Sequence, residues 1–476
     1  MSSQEGASPP ESYAAAAMES DRPNVLVLYG LLTHPIRAWH REHVNSFRRY
    51  GGARYWYVNV GVRPVPRWMR RVRFDAVVLH HTLTGYRMQP PVLAWQMRRA
   101  RAAKDLAPVR IAMIQDECIY TSLMEQLIGE FDVDHVFSLA PPEEWEKIYP
   151  DIDHERVSFH RVLAGYLDDD TLARIEPIVA ESRERSIDIG YRAWSGLMSL
   201  GRHGALRRRL AEVFDPAAER RGLRTDISVD QASVHFGDDW YRFLASCKYF
   251  LGAEGGATVL DRSGQFYVRT QRYLAEHPNA SFDQVEAACF PGEDGKLRLF
   301  AISPRHLEAC ATRTCQVLVE GDYSGVLRAG EHYIPVKPDL SNVEEVLDRI
   351  SDDSERERIT ETAYRDVVAS GRWTYRGLIE QVESESGIAA AQPLQPYTRW
   401  LHRRHRIAEA ADRASWPAIR GMVQSVRGAR RVSVAVLPTR LNERARDWMA
   451  GGVGVETGPP ALPVAEEPAE GRPPGE

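Results

Sequence analysis

From residue 24 the chain alternates short, almost unbroken apolar runs with longer stretches of mixed polarity. The runs "NVLVLYG" (24–30), "YWYVNV" (55–60), "FDAVVLHH" (74–81), "VRIAMIQDE" (109–117) and "DHVFSL" (134–139) read as strands, with helical segments such as "HPIRAWHREHVNSFRRYGG" between them. Strands that are apolar on both faces belong to a parallel sheet covered on both sides, so residues 23–180 are expected to form a first Rossmann-like domain of βαβ units. The charged stretch "IEPIVAESRERS" (175–186) separates these runs from a second series: "IDIGYR" (187–192), "RTDIS" (224–228), "KYFLGAEGG" (248–256), "TCQVLVEG" (314–321) and "HYIPV" (332–336). These predict a second Rossmann-like domain over 181–385. Open α/β sheets bind ligands outside the carboxyl ends of their strands, so two such units suit a ligand in the cleft between them.

The flanks differ from this pattern. Residues 1–22 carry acids and prolines but no basic, apolar signal-peptide pattern, and are expected to be a disordered leader. Residues 386–454 form an arginine-rich, basic segment with interspersed Trp400 and Trp416, expected to be a helical appendage packed on the domains. A patch for an anionic surface is the other reading of 399–441. Residues 455–476 have the proline and acid content of a disordered tail.

With 476 residues, 43% of them apolar, and a net charge of -5, the chain fits a soluble enzyme of two or three units, and nothing points to nucleic acid. The five cysteines show no C-x-x-C spacing, which argues for reduced thiols in the cytoplasm and against structural zinc. No apolar run reaches the ~18 residues of a membrane helix.

Candidate chemistry concentrates in "AISPRHLEACATRTCQVLVEGDYSGVLRAGEHYIPV" (301–336). Ser303 and Pro304 read as N-cap and first residue of a helix. Arg305, Glu308 and Thr312 then share one helix face, which can meet an anionic, hydroxyl-rich ligand, with Glu308 accepting from two hydroxyls. After the next strand, the glycine turn carrying Tyr323, Ser324 and Gly325 offers backbone amides. In the first domain, Asp116 and Glu117 at a strand end, with His34 and His81, are candidates for lining the cleft; His34, His80 and His81 also fit structural roles. Asp168 and Asp170 could form a metal-binding pair, but the following "TLARI" makes them a helix start, and no metal is expected.

In "IDIGYR", "KYFLGAEGGATVLDRSG", "ISPRHLEACATRTCQVLVEGDYSGVL" and "HYIPVKPDLSN" the chain resembles the C-terminal half of group-1 glycosyltransferases with the GT-B fold, over roughly residues 185–380. The resemblance implies two Rossmann-like domains facing a cleft, with a nucleotide-sugar donor on the second and the acceptor on the first. Glu308 matches the glutamate that holds the donor ribose. The family's second glutamate, eight positions earlier, is replaced by Phe300; Glu254 can take its place, with 261–300 as an insertion, so Glu254 and Glu308 are the catalytic candidates. The family sets basic side chains and a glycine loop against the donor diphosphate. Here "GYRAWSGLMSLGRHG" stands in that position, which makes Tyr191, Arg192, Gly201 and Arg202 donor-binding candidates alongside Gly255, Gly256, Arg305, Tyr323, Ser324 and Gly325. The implied activity is retaining, metal-independent sugar transfer to an unidentified acceptor (glycan, lipid-linked or small molecule), with the nucleotide-sugar as co-substrate and no cofactor. A nucleotide-sugar-binding pseudoenzyme or a sugar-nucleotide epimerase on the same fold are the alternatives. The expected location is cytoplasmic, with 399–441 a possible contact to the inner membrane face.

Overall fold

The structure is a computed structural model that describes residues 22–31, 38–182, 184–193, 197–394 and 398–412. His34, the leader and the tail lie outside the described residues.

Six strands form the first sheet: β1 (Asn24–Tyr29), β2 (Arg54–Asn59), β3 (Ala76–Leu79), β4 (Val109–Met113), β5 (His135–Ser138) and β6 (Ser158–Arg161). Every pairing is parallel, in the order β2-β1-β3-β4-β5-β6. Helix α1 (Ala38–Tyr50) joins β1 to β2, and α2 (Asp169–Glu181) leads out of the domain. The continuous apolar runs are buried on both faces, in one cluster around Leu26, Trp56 and Leu127 and another around Val27, Tyr57 and Phe137. β6 has no counterpart among the predicted strands, because "SFHR" is polar and only partly buried.

The second sheet contains β7 (Ile187–Arg192), β8 (Thr225–Ser228), β9 (Cys247–Gly252), β12 (Cys315–Val319) and β13 (Tyr333–Val336), all parallel, in the order β13-β12-β9-β7-β8. α3 (Arg202–Arg220) follows β7 and α4 (Asp238–Ser246) precedes β9. The short antiparallel pair β10 (Gly255–Ala257) and β11 (Leu299–Ala301) brackets an insertion that holds α5 (Gln265–Glu276) and α6 (Phe282–Cys289). α6 opens with a full capping box, Ser281 to Gln284. The insertion also touches the first domain: Ile119 bridges to Asp261, and Arg262 pairs with Glu125 at 2.7 Å and Asp151 at 2.6 Å. After β11 comes α7 (Pro304–Ala311).

The chain then returns. α8 (Tyr375–Glu385), sequentially the end of the second unit, buries Leu378, Ile379 and Val382 in the first domain's core. Glu383 accepts hydrogen bonds from the amides of Gly52 and Ala53, both at 3.0 Å, and from the Tyr55 hydroxyl at 2.6 Å. Residues 399–412 are helical and cover β2, with His405 accepting from the Tyr57 amide at 3.1 Å and Arg63 pairing with Asp412 at 2.7 Å. The described part of the basic segment thus packs on the protein. Among the described residues no helix is long and apolar enough to cross a membrane.

Candidate functional site

In each sheet the strand order reverses once, and that switch point is where a doubly wound fold opens a crevice. In the first sheet it lies between β1 and β3, whose ends run into Gly30 and into His80 and His81; in the second it lies between β7 and β9, whose ends run into Arg192 and into Glu254. The carboxyl ends of β6 and β12 meet across the cleft, where Arg161 pairs with Asp322 at 3.4 Å. Pro304 packs so tightly on Gly165 of the first domain that a Cβ there would stand 2.7 Å from its ring.

Ser303 and Pro304 do start a helix, α7, although the Ser303 side chain makes no capping hydrogen bond. Glu308 is half-buried on it. Its Oε2 accepts from Trp240 Nε1 at 2.7 Å. Desolvation pushes this carboxyl up to about 7, and the charge of Glu42 on α1 adds to the rise while Trp240 and Arg305 oppose it. Thr312 does not share the Glu308 face as expected: α7 ends at Ala311, so Thr312 is the C-cap, fully buried, its hydroxyl donating to the carbonyls of Glu308 and Ala309.

Glu254 lies two residues beyond β9 and is 5% exposed. Burial raises its carboxyl to about 7, chiefly by desolvation. Oε1 accepts from the Tyr323 amide at 2.7 Å, and Oε2 lies against Gly321, where a Cβ would come within 2.2 Å. The turn that aims this amide takes three successive left-handed residues, Tyr323, Ser324 and Gly325, with φ of 46°, 55° and 71°. Each non-glycine residue held there costs roughly 1–2 kcal/mol, and the Glu254 hydrogen bond helps to offset it. Of the amides expected to face a ligand, that of Tyr323 is therefore committed to Glu254, while the Ser324 hydroxyl accepts from the Ile302 amide at 3.3 Å.

The arginines are distributed unlike the sequence expectation. Arg192 is buried and donates to the Asp226 carboxylate at 2.6 Å and to the carbonyls of Tyr191, Asp226 and Ser233, with Phe243 beneath it. Arg202 is exposed and pairs with Asp283, Glu286 and Asp294 of the insertion. Protein acceptors thus occupy both guanidinium groups. Arg305 donates to the Arg192 carbonyl at 2.7 Å and lies over Trp240. Tyr191 is a core residue whose hydroxyl donates to the Arg207 carbonyl. Gly201 (φ 85°) lets Thr258 and Asp294 approach the start of α3, and Gly256 (φ 130°) lets Leu299 approach in β11, so both glycines serve the insertion.

Arg207, absent from the sequence-based set, is the basic group left over. It is half-buried on α3, and among the described residues no carboxylate or carbonyl accepts from its guanidinium. Its Nη2 lies 3.8 Å from where a Gly255 Cβ would be, and its charge adds a little to the lowering that burial imposes on His203 and His306 nearby. Within "RRR" (207–209) the signal was helical phase: Arg208 and Arg209 face solvent, whereas Arg207 follows buried Gly204 by three residues. Phe300, where the family carries an acid, packs on His203 at 4.5 Å, and His203 Nε2 contacts the Glu254 carbonyl at 3.0 Å.

On the first domain's side, Glu117 does not line the cleft. The left-handed turn at Asp116 (φ 52°) redirects it into the interior, where it accepts from Ser138, Tyr149 and the amides of Leu139 and Ala140. The Asp116 carboxylate itself is exposed, 3.5 Å from Arg87. His81 is buried among His40, His43 and His80. Asp168 caps α2 through the amides of Asp170 and Thr171, and Arg49 binds both Asp168 and Asp170, as the helix-start reading required.

Two doubly wound parallel sheets with their switch points on one cleft form the GT-B architecture. No protein-family model matches the chain, and no curated protein sequence matches it. Among solved structures the chain is similar to Anabaena HepE in complex with UDP and glucose, at 10% identity over 76% of this chain and 99% of that one, with a TM-score of 0.41. It is also similar to sucrose-phosphate synthase from Thermosynechococcus elongatus (9% identity, 78% and 100% covered, TM-score 0.42). A third is an alpha-glucosyltransferase in complex with UDP and a 13-mer DNA containing an HMU base (11% identity, 77% and 99% covered, TM-score 0.43). Superpositions this loose carry no assignment of residues or substrate.

Proposed function

We propose that the protein is a glycosyltransferase that moves a sugar from a nucleotide diphosphate donor, bound on the second domain, to an acceptor entering from the first. The observation that carries this reading is the convergence at one switch point of two desolvated carboxyls, Glu254 and Glu308, with Arg207 and Arg305, directly opposite the first domain. Sugar transfer through an oxocarbenium-like state needs stabilisation of the departing diphosphate in a water-poor cleft, and Arg207, without a side-chain acceptor among the described residues, supplies it. Glu308 has one oxygen on Trp240 and the other for a donor hydroxyl pair. Glu254 stands at the sugar end of the same wall. The transfer is read as retaining, and as needing no divalent metal at the diphosphate, because Arg49 occupies the Asp168 and Asp170 pair. The protein acts in the cytoplasm in this reading.

Phe300 in place of the second family acid favours one other reading, donor binding without turnover. Screening UDP-, GDP-, ADP- and TDP-sugars by thermal shift, then assaying hydrolysis of each stabilising donor, separates the two. Stabilisation with hydrolysis supports transfer. Stabilisation without hydrolysis or transfer leaves a binding protein, and no stabilisation by any donor overturns the proposal.

A further inference from the structure

Away from the carboxyls and arginines of the second domain, three histidine rings are buried side by side where α1 crosses the end of β3. His43 is 1% exposed, His80 fully buried and His81 3% exposed. Their ring centroids stand 4.2 to 4.8 Å apart, and one ring nitrogen from each lies within 4.8 Å of the others. Nδ1 of His43 faces Nε2 of His80 at 2.9 Å. His81 contacts His40 through Nε2 at 3.3 Å, while its Nδ1 is buried without a partner among the described residues.

Hydrogen bonding among the rings leaves His81 Nδ1 unaccounted for among the described residues. A neutral imidazole has one donor and one acceptor nitrogen, and an apolar residue of similar size would fill the same volume without leaving a buried polar atom unsatisfied, which costs about 1–3 kcal/mol. Three imidazoles with a ring nitrogen each within 4.8 Å of the others are a donor set that a borderline transition metal prefers. Burial disfavours the charged imidazolium at all three positions. His80 Nδ1 is held by Thr82, whose amide donates to it at 3.2 Å and whose Oγ1 lies 3.0 Å away, so Nε2 is the nitrogen turned toward His43.

We propose that His43, His80 and His81 form a binding site for a divalent transition-metal ion of the zinc type, one ring nitrogen from each, with the fourth position open to water or another ligand. Tetrahedral coordination with metal–nitrogen distances of about 2.0–2.1 Å brings the three nitrogens to roughly 3.3 Å apart, so the rings close in slightly on binding. The ion satisfies the orphaned nitrogen of His81 and pins α1 to the end of β3. It takes no part in holding the donor diphosphate.

The test uses the full chain, stripped with a chelator and titrated with Zn²⁺ or Co²⁺. One equivalent of metal should bind, with visible bands of low-coordinate Co²⁺ and a melting-temperature rise of roughly 3 °C or more at a hundredfold excess over Kd. His43→Gln and His81→Gln should each lose at least tenfold in affinity, whereas His160→Gln, in the separate pair of His135 and His160, should bind as the parent does. Should the cluster variants fail to fold, X-ray absorption of the zinc-loaded parent decides the question, because its first shell should contain three imidazoles. No stoichiometric metal, a first shell with fewer than three imidazoles, unchanged affinity in both folded cluster variants, or equal loss in His160→Gln overturns the proposal.

Discussion

The two sides of the cleft lose charge from opposite directions. On the second domain burial lifts Glu254 and Glu308 to about 7, so near neutrality each carboxyl is protonated about half the time. On the first domain the same desolvation drives protons off His43, His80 and His81. One physical cause, the removal of water, neutralises an acid wall and a base wall alike. The charge that persists is arginine, which no accessible pH discharges, and that leaves a cleft suited to an anion.

The sharpest way to break this comparison is to remove Arg207, the arginine with no carboxylate or carbonyl acceptor among the described residues. Arg207→Ala should weaken donor binding by about 30- to 100-fold, or roughly 2–3 kcal/mol for lost charge-assisted hydrogen bonds, while Arg202→Ala, whose partners are acids of the insertion, should change it by less than about threefold. Isothermal titration with the stabilising nucleotide-sugar reads both, and equal losses would show that Arg207 has no special place. Next in size, Glu308→Gln should keep the fold and cost at least tenfold in donor affinity or turnover, about 1.4 kcal/mol, with exposed Glu320→Gln as the milder control. Turnover and affinity as in the parent would reduce Glu308 to a structural helix acid.

Stability against pH sharpens the comparison further, because the two walls carry opposite signs. The Glu254 carboxyl has its folded pKa raised from 4.5 to about 7, so its contribution is complete below pH 4.5 and is lost as pH rises through 7. The His43 imidazole has its folded pKa lowered from 6.5 to about 3, so its contribution is present above pH 6.5 and is lost as pH falls toward 3. Glu254→Gln should therefore remove roughly 1 kcal/mol of the parent's stability loss between pH 6 and 8, measured by denaturant titration. A pH slope unchanged by that substitution would show that Glu254 is ionised throughout. The smallest effect expected is none: omitting Mg²⁺ and Mn²⁺ should leave turnover as it was, since Arg49 holds the only aspartate pair singled out for a metal.

Both sheets were legible because buried parallel strands leave unbroken apolar runs, and all ten predicted runs contain a strand. β6 escaped because its residues are polar and only partly buried. In the site, motif-borne residues such as Glu254 and Glu308 could be found from turn glycines and helix starts. Side-chain destinations could not: Arg192 and Arg207 look alike in a chain this rich in arginine, and only the position of Asp226 decides which one is spent. Glu117 likewise follows Asp116 by one residue, yet a left-handed turn sends it inward, and nothing local marks that turn. The histidine cluster needed tertiary structure, because α1 brings His43 to His80 from 37 residues away.

The return of α8 to the first domain sets an order of events during synthesis. When residue 180 leaves the ribosome, the amides of Gly52 and Ala53 and the hydroxyl of Tyr55 still lack the carboxylate of Glu383. About 200 further residues must follow, which takes roughly 10–40 s at ordinary elongation rates. The domain that emerges first is thus completed last. Nascent chains arrested before residue 375 should expose β2 to protease, and chains long enough for residue 412 to have left the ribosome should protect it.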